Sequence, residues 1–228
     1  MKEDAYPQTR GRDLNHVAWL YDPLIEILSF GRERRFRQLT IERMGISAVD
    51  RILDVGCGTG TLTMRIGAQL SPPGLVIGID AAPKMITIAR RKALSSGSVA
   101  KFAVGVSESL DFPDASFDLV VNSMFTHHID TELKERSFRE MRRVLTPGGK
   151  LLTADIDRPT TLWGAIMGWG GRFLLLQKEL EDNLRGRLPT LMAEAGFIEI
   201  ERVAHVYGLV SFFTARNGEG AANKKGEG

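Results

Sequence analysis

Short apolar runs alternate with longer amphipathic stretches over most of this 228-residue chain. The runs RILDV, LVIGID, VAKFAVG, FDLVVNSM and KLLTADID are typical of strands, and most of the stretches between them have helical periodicity. This alternation predicts an α/β fold in which helices cover both faces of a parallel sheet. The last two runs, IEIERVAHVY and LVSFFTARN, are joined through Gly208 and predict a closing hairpin with an antiparallel edge.

The helical stretches also predict where several elements end. Residues 13–45 read as two helices, LNHVAWLYDPLIEILSF and RERRFRQLTIERMG, and Gly45 ends the second. TELKERSFREMRRVLTPGG reads as a helix that stops at its Pro-Gly-Gly end, residues 147–149. We therefore predict one domain over residues 13–216, with disordered polar termini at residues 1–12 and 217–228.

Composition excludes several classes of protein. The 43% apolar and 25% charged shares are typical of a soluble globular domain, and a net charge of +2 gives no overall attraction to nucleic acid. A single cysteine, Cys57, excludes an intrachain disulfide and a multi-cysteine metal site. The polar N-terminus does not resemble a signal peptide, and glycines and Arg172 interrupt the apolar segment LWGAIMGWGGRFLLL. We expect a cytoplasmic location, with contact to a membrane surface left open.

Three glycines at alternate positions, Gly56, Gly58 and Gly60, directly follow the strand RILDV. Glycines in such a cluster mark a sharp bend or a close approach to a ligand, and the loop is expected to offer free N–H groups at a helix N-terminus. Asp80 ends the next strand, where a carboxylate can accept both hydroxyls of a ribose. A plain turn and a helix cap are the structural alternative, but the combination favours a nucleoside ligand.

The spacing of the loop separates it from other nucleotide sites. A dinucleotide site has G-x-G-x-x-G, whereas Thr61 stands at the third glycine position here, and no Gly-Lys-Ser/Thr of a P-loop follows. These features disfavour a nicotinamide-dependent oxidoreductase. Asp54 directly precedes the loop and suits a positively charged ligand better than a pyrophosphate. S-adenosylmethionine, with its adenosine, sulfonium and ammonium groups, fits these features.

Four motifs then resemble class I S-adenosylmethionine-dependent methyltransferases: LDVGCGTG, GIDAAPKM, FPDASFDLVVNSMFTHHI and REMRRVLTPGGKLL. The chain is most similar to the group of ubiquinone/menaquinone C-methyltransferases and phosphatidylethanolamine N-methyltransferases, over residues 14–215. The resemblance implies a Rossmann-like, doubly wound seven-stranded sheet with helices on both faces, in the order 3-2-1-4-5-7-6, with the last strand antiparallel. It also implies that S-adenosylmethionine is converted to S-adenosylhomocysteine.

The resemblance implies a cofactor site along the ends of the first four strands. Its residues are Asp54, Gly56, Cys57, Gly58 and Gly60, then Asp80, Ala81 and Met85, then Val106, Ser107 and Glu108, and finally Asn122 and Ser123. Asp54 would line the methionine end, Asp80 would bind the ribose, and Met85 would contact the adenine or else belong to the core. Val106 replaces an acid that bonds the adenine amino group in relatives, so that contact is in doubt.

The reacting end of the site involves other residues. His127 and His128 fall where the methyl group leaves, either as general bases or as residues that shape the pocket. Tyr21 matches a Tyr-Asp pair of the lipid and quinone enzymes. Asp155 and Asp157 end the fifth predicted strand, where they could contact substrate or cap a loop. We predict no metal site, because the local sequence supplies no third ligand.

The resemblance also indicates the kind of acceptor. The helices over residues 13–45 and a helical insertion or lid over residues 158–195 are apolar and aromatic, so we expect a small hydrophobic or lipid-like acceptor. Nucleic acid is disfavoured because the fourth strand ends in NSMF rather than an Asn/Asp-Pro-Pro-aromatic motif. A non-catalytic binding protein with the same fold is the alternative. The sequence does not specify the oligomeric state.

Overall fold

The computed structural model describes Thr9, residues 32–174 and residues 177–218. The predicted helix LNHVAWLYDPLIEILSF, with Tyr21 in it, lies outside the described residues, as do residues 219–228 of the predicted tail. Asn217 was assigned both to the last predicted strand, LVSFFTARN, and to the tail; the strand assignment is confirmed and the tail assignment was wrong. It is the last residue of a strand, and its side-chain amide donates to the Leu145 carbonyl over 2.9 Å.

The described residues form a seven-stranded sheet in the order β3-β2-β1-β4-β5-β7-β6. β7 pairs antiparallel with both of its neighbours, and the other pairs are parallel. The predicted Rossmann-like topology with one antiparallel strand is confirmed. The strands are β1 (Arg51–Val55), β2 (Leu75–Asp80), β3 (Lys101–Val104), β4 (Phe117–Ser123), β5 (Leu145–Ile156), β6 (Phe197–Val206) and β7 (Val210–Asn217).

Helices connect most of these strands and cover the sheet. They are α1 (Arg32–Met44), α2 (Thr61–Gly67), α3 (Pro83–Ser96), α4 (Thr131–Val144), α5 (Leu162–Leu174), α6 (Glu181–Leu184) and α7 (Leu188–Glu194), with 3₁₀ turns at Thr126–His128 and Lys178–Leu180. Their ends follow the expected chemistry. Pro83 opens α3, and the Asp130 carboxylate accepts the Leu133 N–H at the start of α4.

One predicted boundary was wrong. α4 ends at Val144, and residues 145–149 belong to β5 instead of completing the helix. Leu145 pairs with Phe117 of β4, and the pairing resumes at Lys150 opposite Leu119 after a register shift. Pairing with β4 therefore ends the helix before the Pro-Gly-Gly sequence, which forms an irregular segment of the strand.

Successive strand residues face opposite sides of the sheet, so the core divides in two. Leu53 of β1 belongs to a cluster completed by side chains of α4 and α7, whereas its neighbour Ile52 packs with α1, α2 and α3. Both side chains are fully buried. The two layers hold the strands' carboxyl ends at one edge, where a ligand site of this fold lies.

Candidate active site

The glycine loop after β1 requires its glycines for backbone conformation. Gly56, Gly58 and Gly60 have φ angles of +76°, +55° and +77°, a region that other residues adopt only with strain. The N–H groups of Gly56 and Cys57 both donate to the Ile79 carbonyl over 2.9 Å, and the Gly60 N–H donates to the Cys57 carbonyl over 3.0 Å. The loop is thereby tied to the end of β2, and Gly60 is the N-cap residue directly before α2.

The prediction that this loop offers free N–H groups was wrong for Gly56, Cys57, Gly58 and Gly60. The Gly58 N–H donates to the Asp80 carboxylate over 2.9 Å, so four loop donors are satisfied within the protein. A pyrophosphate cradle needs such donors, and their use here favours a different kind of ligand. A Cβ atom built on Gly58 meets nothing within 4 Å, so this side of the loop faces open space.

Asp54 is a buried carboxylate directly before the loop. It is 1% exposed and accepts a hydrogen bond from the Thr63 hydroxyl over 2.6 Å. Burial raises its pKa to about 6 and outweighs the hydrogen bond from Thr63 and the charge of Arg37, which both lower it, while the charge of Asp80 raises it further. Two carboxylates close to one loop give this edge of the sheet a negative potential, which Arg37 only partly offsets and which suits a sulfonium or ammonium group.

Asp80 holds the loop and remains half-buried at the sheet edge. One of its oxygens accepts the Gly58 N–H and the other accepts the Ala82 N–H, each over 2.9 Å. A carboxylate oxygen accepts more than one hydrogen bond, so this rigidly oriented group can also receive ribose hydroxyls.

The predicted adenine contacts after β2 divide into two kinds. Ala81 is partly exposed. Met85 is 1% exposed and packs in a small cluster with Ala82 and Ile88. The structure thus places the Met85 side chain in the core, which was the alternative to a contact with the adenine.

The segment after β3 is a hydrogen-bonded turn. The Val106 and Ser107 side chains are buried, and the Ser107 hydroxyl lies 2.6 Å from the Ser137 hydroxyl and 3.2 Å from the Glu108 carboxylate. The other Glu108 oxygen accepts a hydrogen bond of 2.7 Å from the Thr9 hydroxyl. The Glu108 carboxylate is therefore bound by the hydroxyls of Thr9 and Ser107, and its predicted contact with the adenine stays a prediction.

Asn122 and Ser123 end β4 next to the loop. The buried Asn122 amide donates to the Thr153 hydroxyl over 3.0 Å, so its side chain is bound within the sheet. Ser123 is partly exposed. These positions bring backbone groups to the site, and Asn122 contributes its side chain to the core.

Phe125 packs against the glycine loop, a contact that the sequence analysis did not identify. A Cβ atom on Gly56 would lie 2.4 Å from the Phe125 Cδ2 atom, so the aromatic ring packs directly on the glycine backbone. This contact joins the loop after β1 to the turn after β4. An aromatic residue shortly after the fourth strand is the one sequence signal that pointed to it.

His127, in the 3₁₀ turn after β4, and Asp155, near the end of β5, form a buried pair. The His127 Nδ1 atom lies 2.6 Å from Asp155 Oδ1, and the two side chains are 9% and 0% exposed. Asp155 Oδ2 also accepts the N–H groups of Phe125 and Thr126 and the Thr126 hydroxyl. The carboxylate thus holds the whole 3₁₀ turn that carries the histidines.

The charge of Asp155 follows from its contacts. Burial alone would raise the pKa of Asp155, but the charge of His127 and the hydrogen bonds it receives lower it below its ordinary value. An ionised Asp155 has no proton to donate, so His127 Nδ1 carries the proton between them. In the neutral ring the lone pair is then on Nε2.

The neighbouring polar residues have different contacts. The His128 ring is partly exposed and its centroid lies 4.0 Å from that of His127. Asp157 accepts a 2.6 Å hydrogen bond from the Ser211 hydroxyl, and the buried Asn183 amide donates to Thr126 and to the Ile156 carbonyl. In the described part of the chain, no three His, Cys, Asp or Glu residues are grouped as a metal ion would require.

Comparison with known proteins agrees with this geometry. Residues 52–149 match the family described as a methyltransferase domain. The ubiquinone/menaquinone biosynthesis C-methyltransferase UbiE of Pseudomonas putida is 34% identical over 215 residues, which are 86% of this chain and 83% of that protein. Demethylmenaquinone methyltransferase of Thermus thermophilus is 33% identical over 202 residues, 80% of this chain and 90% of that protein.

A solved structure shares the fold. Haemonchus contortus phosphoethanolamine N-methyltransferase 2, in complex with phosphomonomethylethanolamine and S-adenosylhomocysteine, aligns with a TM-score of 0.69 at 18% identity, over 91% of this chain and 59% of that one.

The sheet order, the glycine loop and these relatives define the class of protein. The chain belongs to the class I S-adenosylmethionine-dependent methyltransferases. It is an enzyme of EC class 2.1.1, and S-adenosylmethionine is its cofactor. Its relatives indicate a small-molecule substrate.

Proposed function

We propose that this methyltransferase methylates a small hydrophobic or lipid-like acceptor, such as a quinone ring or a phospholipid headgroup, in the cytoplasm at or near a membrane surface. The names of the relatives that concern quinone biosynthesis support this class of acceptor. The observation that carries the proposal is the His127–Asp155 pair. His127 is two residues after Phe125, the residue that touches the glycine loop at Gly56, and Asp155 accepts the Phe125 N–H over 3.0 Å.

The residues around the loop fit the cofactor. Asp54 would face the positively charged methionine end of the cofactor, and Asp80 would bind the ribose. The open space beside Gly58 would leave room for the bound cofactor. When bound, S-adenosylmethionine supplies a methyl group on a positively charged sulfur, which the acceptor attacks in line. The protein's work is then to align the acceptor, exclude water and accept a proton.

His127 is the proposed proton acceptor. A phenol, an amine or an activated ring carbon loses a proton when it gains a methyl group, and Nε2 of neutral His127 can receive it. Asp155 is the positioning residue, because it holds Nδ1–H and stabilises the ring cation that forms. His128, whose partly exposed ring packs against that of His127, takes the pocket-shaping role. Tyr21 remains a predicted site residue that lies outside the described residues.

The acceptor class is tested with two hydrophobic acceptors and with the water-soluble headgroup of one of them. Methyl transfer from labelled S-adenosylmethionine is measured with 1,4-naphthohydroquinone and phosphatidylethanolamine, each in detergent, and with water-soluble phosphoethanolamine. We expect turnover with at least one hydrophobic acceptor and little with phosphoethanolamine. A preference for phosphoethanolamine would contradict the proposed acceptor class, and absence of turnover with every acceptor would support the non-catalytic alternative.

The base is tested with neighbouring variants. We expect His127→Gln to lower kcat by about 10²- to 10⁴-fold, the usual contribution of a general base, with S-adenosylhomocysteine affinity unchanged. His128→Gln is the matched control and should retain activity within about tenfold. Asp155→Asn should lower kcat with little change in KM, because it misaligns the ring without removing it. Equal activities of the two histidine variants would overturn the assignment.

A further inference from the structure

α5 exposes a continuous apolar surface. Leu162 and Trp163 are 80% and 67% exposed, Ile166 and Met167 are each 53% exposed, and Phe173 near the other end is 65% exposed. Large exposed apolar patches are rare on proteins that contact only water. We call these five residues the α5 face.

The opposite side of α5 is fixed against the protein body. A Cβ atom on Gly164 would lie 2.2 Å from the Gly208 carbonyl oxygen, and one on Gly168 would lie 2.6 Å from the Leu184 side chain. The two glycines let the helix pack closely on the β6–β7 turn and on α6. The α5 face is consequently held outward by close backbone packing.

Arginine–aromatic pairs stand at both ends of this helix. At its start, the Arg32 guanidinium lies 5.4 Å from the centre of the Tyr207 ring, and Tyr207 precedes the Gly208 that contacts α5. At its end, the Arg172 guanidinium lies 5.5 Å from the Phe173 ring centre, and the Glu181 carboxylate at 3.2 Å balances its charge. α5 itself contains no Asp or Glu. The apolar side chains therefore lie between two aromatic ends, and the exposed positive charge is at the Arg32 end, an arrangement found in helices that lie in a membrane interface.

The charge of the surroundings favours an anionic partner. Arg32, Arg34 and Arg35 are exposed on the first turn of α1, which approaches the α5 face through Tyr207. Basic residues near a negatively charged leaflet add to the burial of an apolar face. At 13 residues, α5 is about 20 Å long, and within the described residues none of the helices meets the length and apolarity needed to cross a bilayer.

We propose that the α5 face, together with the α1 arginines, docks the enzyme on an anionic lipid membrane. α5 then lies parallel to the surface, with its apolar side chains among the acyl chains and the arginines at the headgroups. Docking brings the active-site edge to the phase in which a hydrophobic acceptor dissolves. Vesicle binding needs neither cofactor nor acceptor, so its failure would leave the proposed methyl transfer standing.

The test is sedimentation of the full chain with vesicles. One set is phosphatidylcholine alone, and the other is an equal mixture of phosphatidylcholine and phosphatidylglycerol. We expect binding to the anionic vesicles that weakens with salt, and little binding to the neutral ones. Trp163→Ser and Ile166→Ser should each lower the partition coefficient by about tenfold or more, from the lost apolar burial. Leu94→Ser, at a leucine 86% exposed on α3, is the matched control and should bind as the unmodified chain does.

Other occupants of the face give different results. If another segment of the chain covers it, Trp163→Ser will lower the free energy of unfolding as a core substitution does, and the unmodified chain will not sediment with vesicles. If a second copy covers it, sedimentation equilibrium will show a dimer that Ile166→Ser dissociates. Either result overturns membrane docking, as does equal vesicle binding by Trp163→Ser and Leu94→Ser. Unchanged unfolding of the α5 variants with lost vesicle binding supports it.

Discussion

Asp54→Asn is expected to make the protein more stable at neutral pH. The folded protein raises the pKa of Asp54 from 3.8 to about 6, chiefly because the carboxylate is buried. A raised pKa means that the folded state binds the proton more tightly than the unfolded state. The ionised form is therefore a cost to folding that develops as pH rises from about 4 to about 6.

The size of that cost follows from the shift. Two pKa units correspond to about 3 kcal/mol at 1.36 kcal/mol per unit, which is an upper bound for the gain in the neutral variant. Asn keeps an oxygen that can accept the Thr63 hydroxyl bond of 2.6 Å, so little packing is lost. For a chain of this length the gain would raise the melting temperature by about 6–12 °C.

Urea unfolding at about pH 7.5 and about pH 4 measures this effect. The two proteins should differ at the higher pH and converge at the lower one, where Asp54 is protonated in the folded state. Asp118→Asn is the control of opposite sign. The hydrogen bond from Arg51 lowers the pKa of Asp118, so its neutral variant should lose stability at neutral pH.

The same Asp54 variant should bind the cofactor product more weakly, if the carboxylate faces the ammonium group of the ligand as proposed. We expect the affinity for S-adenosylhomocysteine to fall by about tenfold or more. A variant that is more stable and binds less well is the signature of a functional buried charge. An unchanged or lowered free energy of unfolding at neutral pH would refute this reasoning.

Further expectations concern the glycine loop. Gly56→Ala should lower the free energy of unfolding by about 1–3 kcal/mol, because its new methyl group meets the Phe125 ring at a positive φ angle. Gly58→Ala should lower the free energy of unfolding by only about 1 kcal/mol, because the space at its new methyl group is open. Urea unfolding compares the two variants, and a larger loss in Gly58→Ala than in Gly56→Ala would contradict the packing argument. Burial raises the pKa of the Cys57 thiol well above its ordinary value, so the native thiol should resist Ellman's reagent and react only after unfolding. Rapid labelling of the native protein would contradict this.

Local chemistry made much of the fold predictable. Glycines at alternate positions after an apolar run indicate positive φ angles, and Gly56, Gly58 and Gly60 all have them. The strand–helix alternation and the closing hairpin likewise depend on periodicity within short segments. These features follow from a few adjacent residues, so they can be read without knowing what packs against them.

What could not be predicted depends on distant partners. The loop N–H groups donate hydrogen bonds to the Ile79 carbonyl and the Asp80 carboxylate. The end of α4 is determined by the pairing of Leu145 with Phe117. The Pro-Gly-Gly signal is an ordinary helix stop, but strand pairing ends the helix earlier. Tertiary contacts outweighed local propensity in each case.

The active-site pair shows the same division. His127 lies in the turn that follows β4 and Asp155 lies near the end of the neighbouring β5, so their closeness was predictable once the strands were ordered. The 2.6 Å bond that orients the imidazole depends on the 3₁₀ turn and on Asn183, a buried amide in α6 that no motif marks. Sequence patterns located the edge of the sheet at which the candidate site lies. The hydrogen-bond partners of the side chains at that edge depend on tertiary packing, which the patterns do not show.

The central claim is that the loop and the carboxylate of Asp80 bind the adenosyl cofactor. Isothermal titration of S-adenosylhomocysteine into the unmodified chain and into Asp80→Ala tests it most directly. We predict one bound molecule per chain, with affinity at least about tenfold weaker in the variant because ribose and loop both lose their acceptor. No binding to the unmodified chain, or equal affinity in the two proteins, would contradict it.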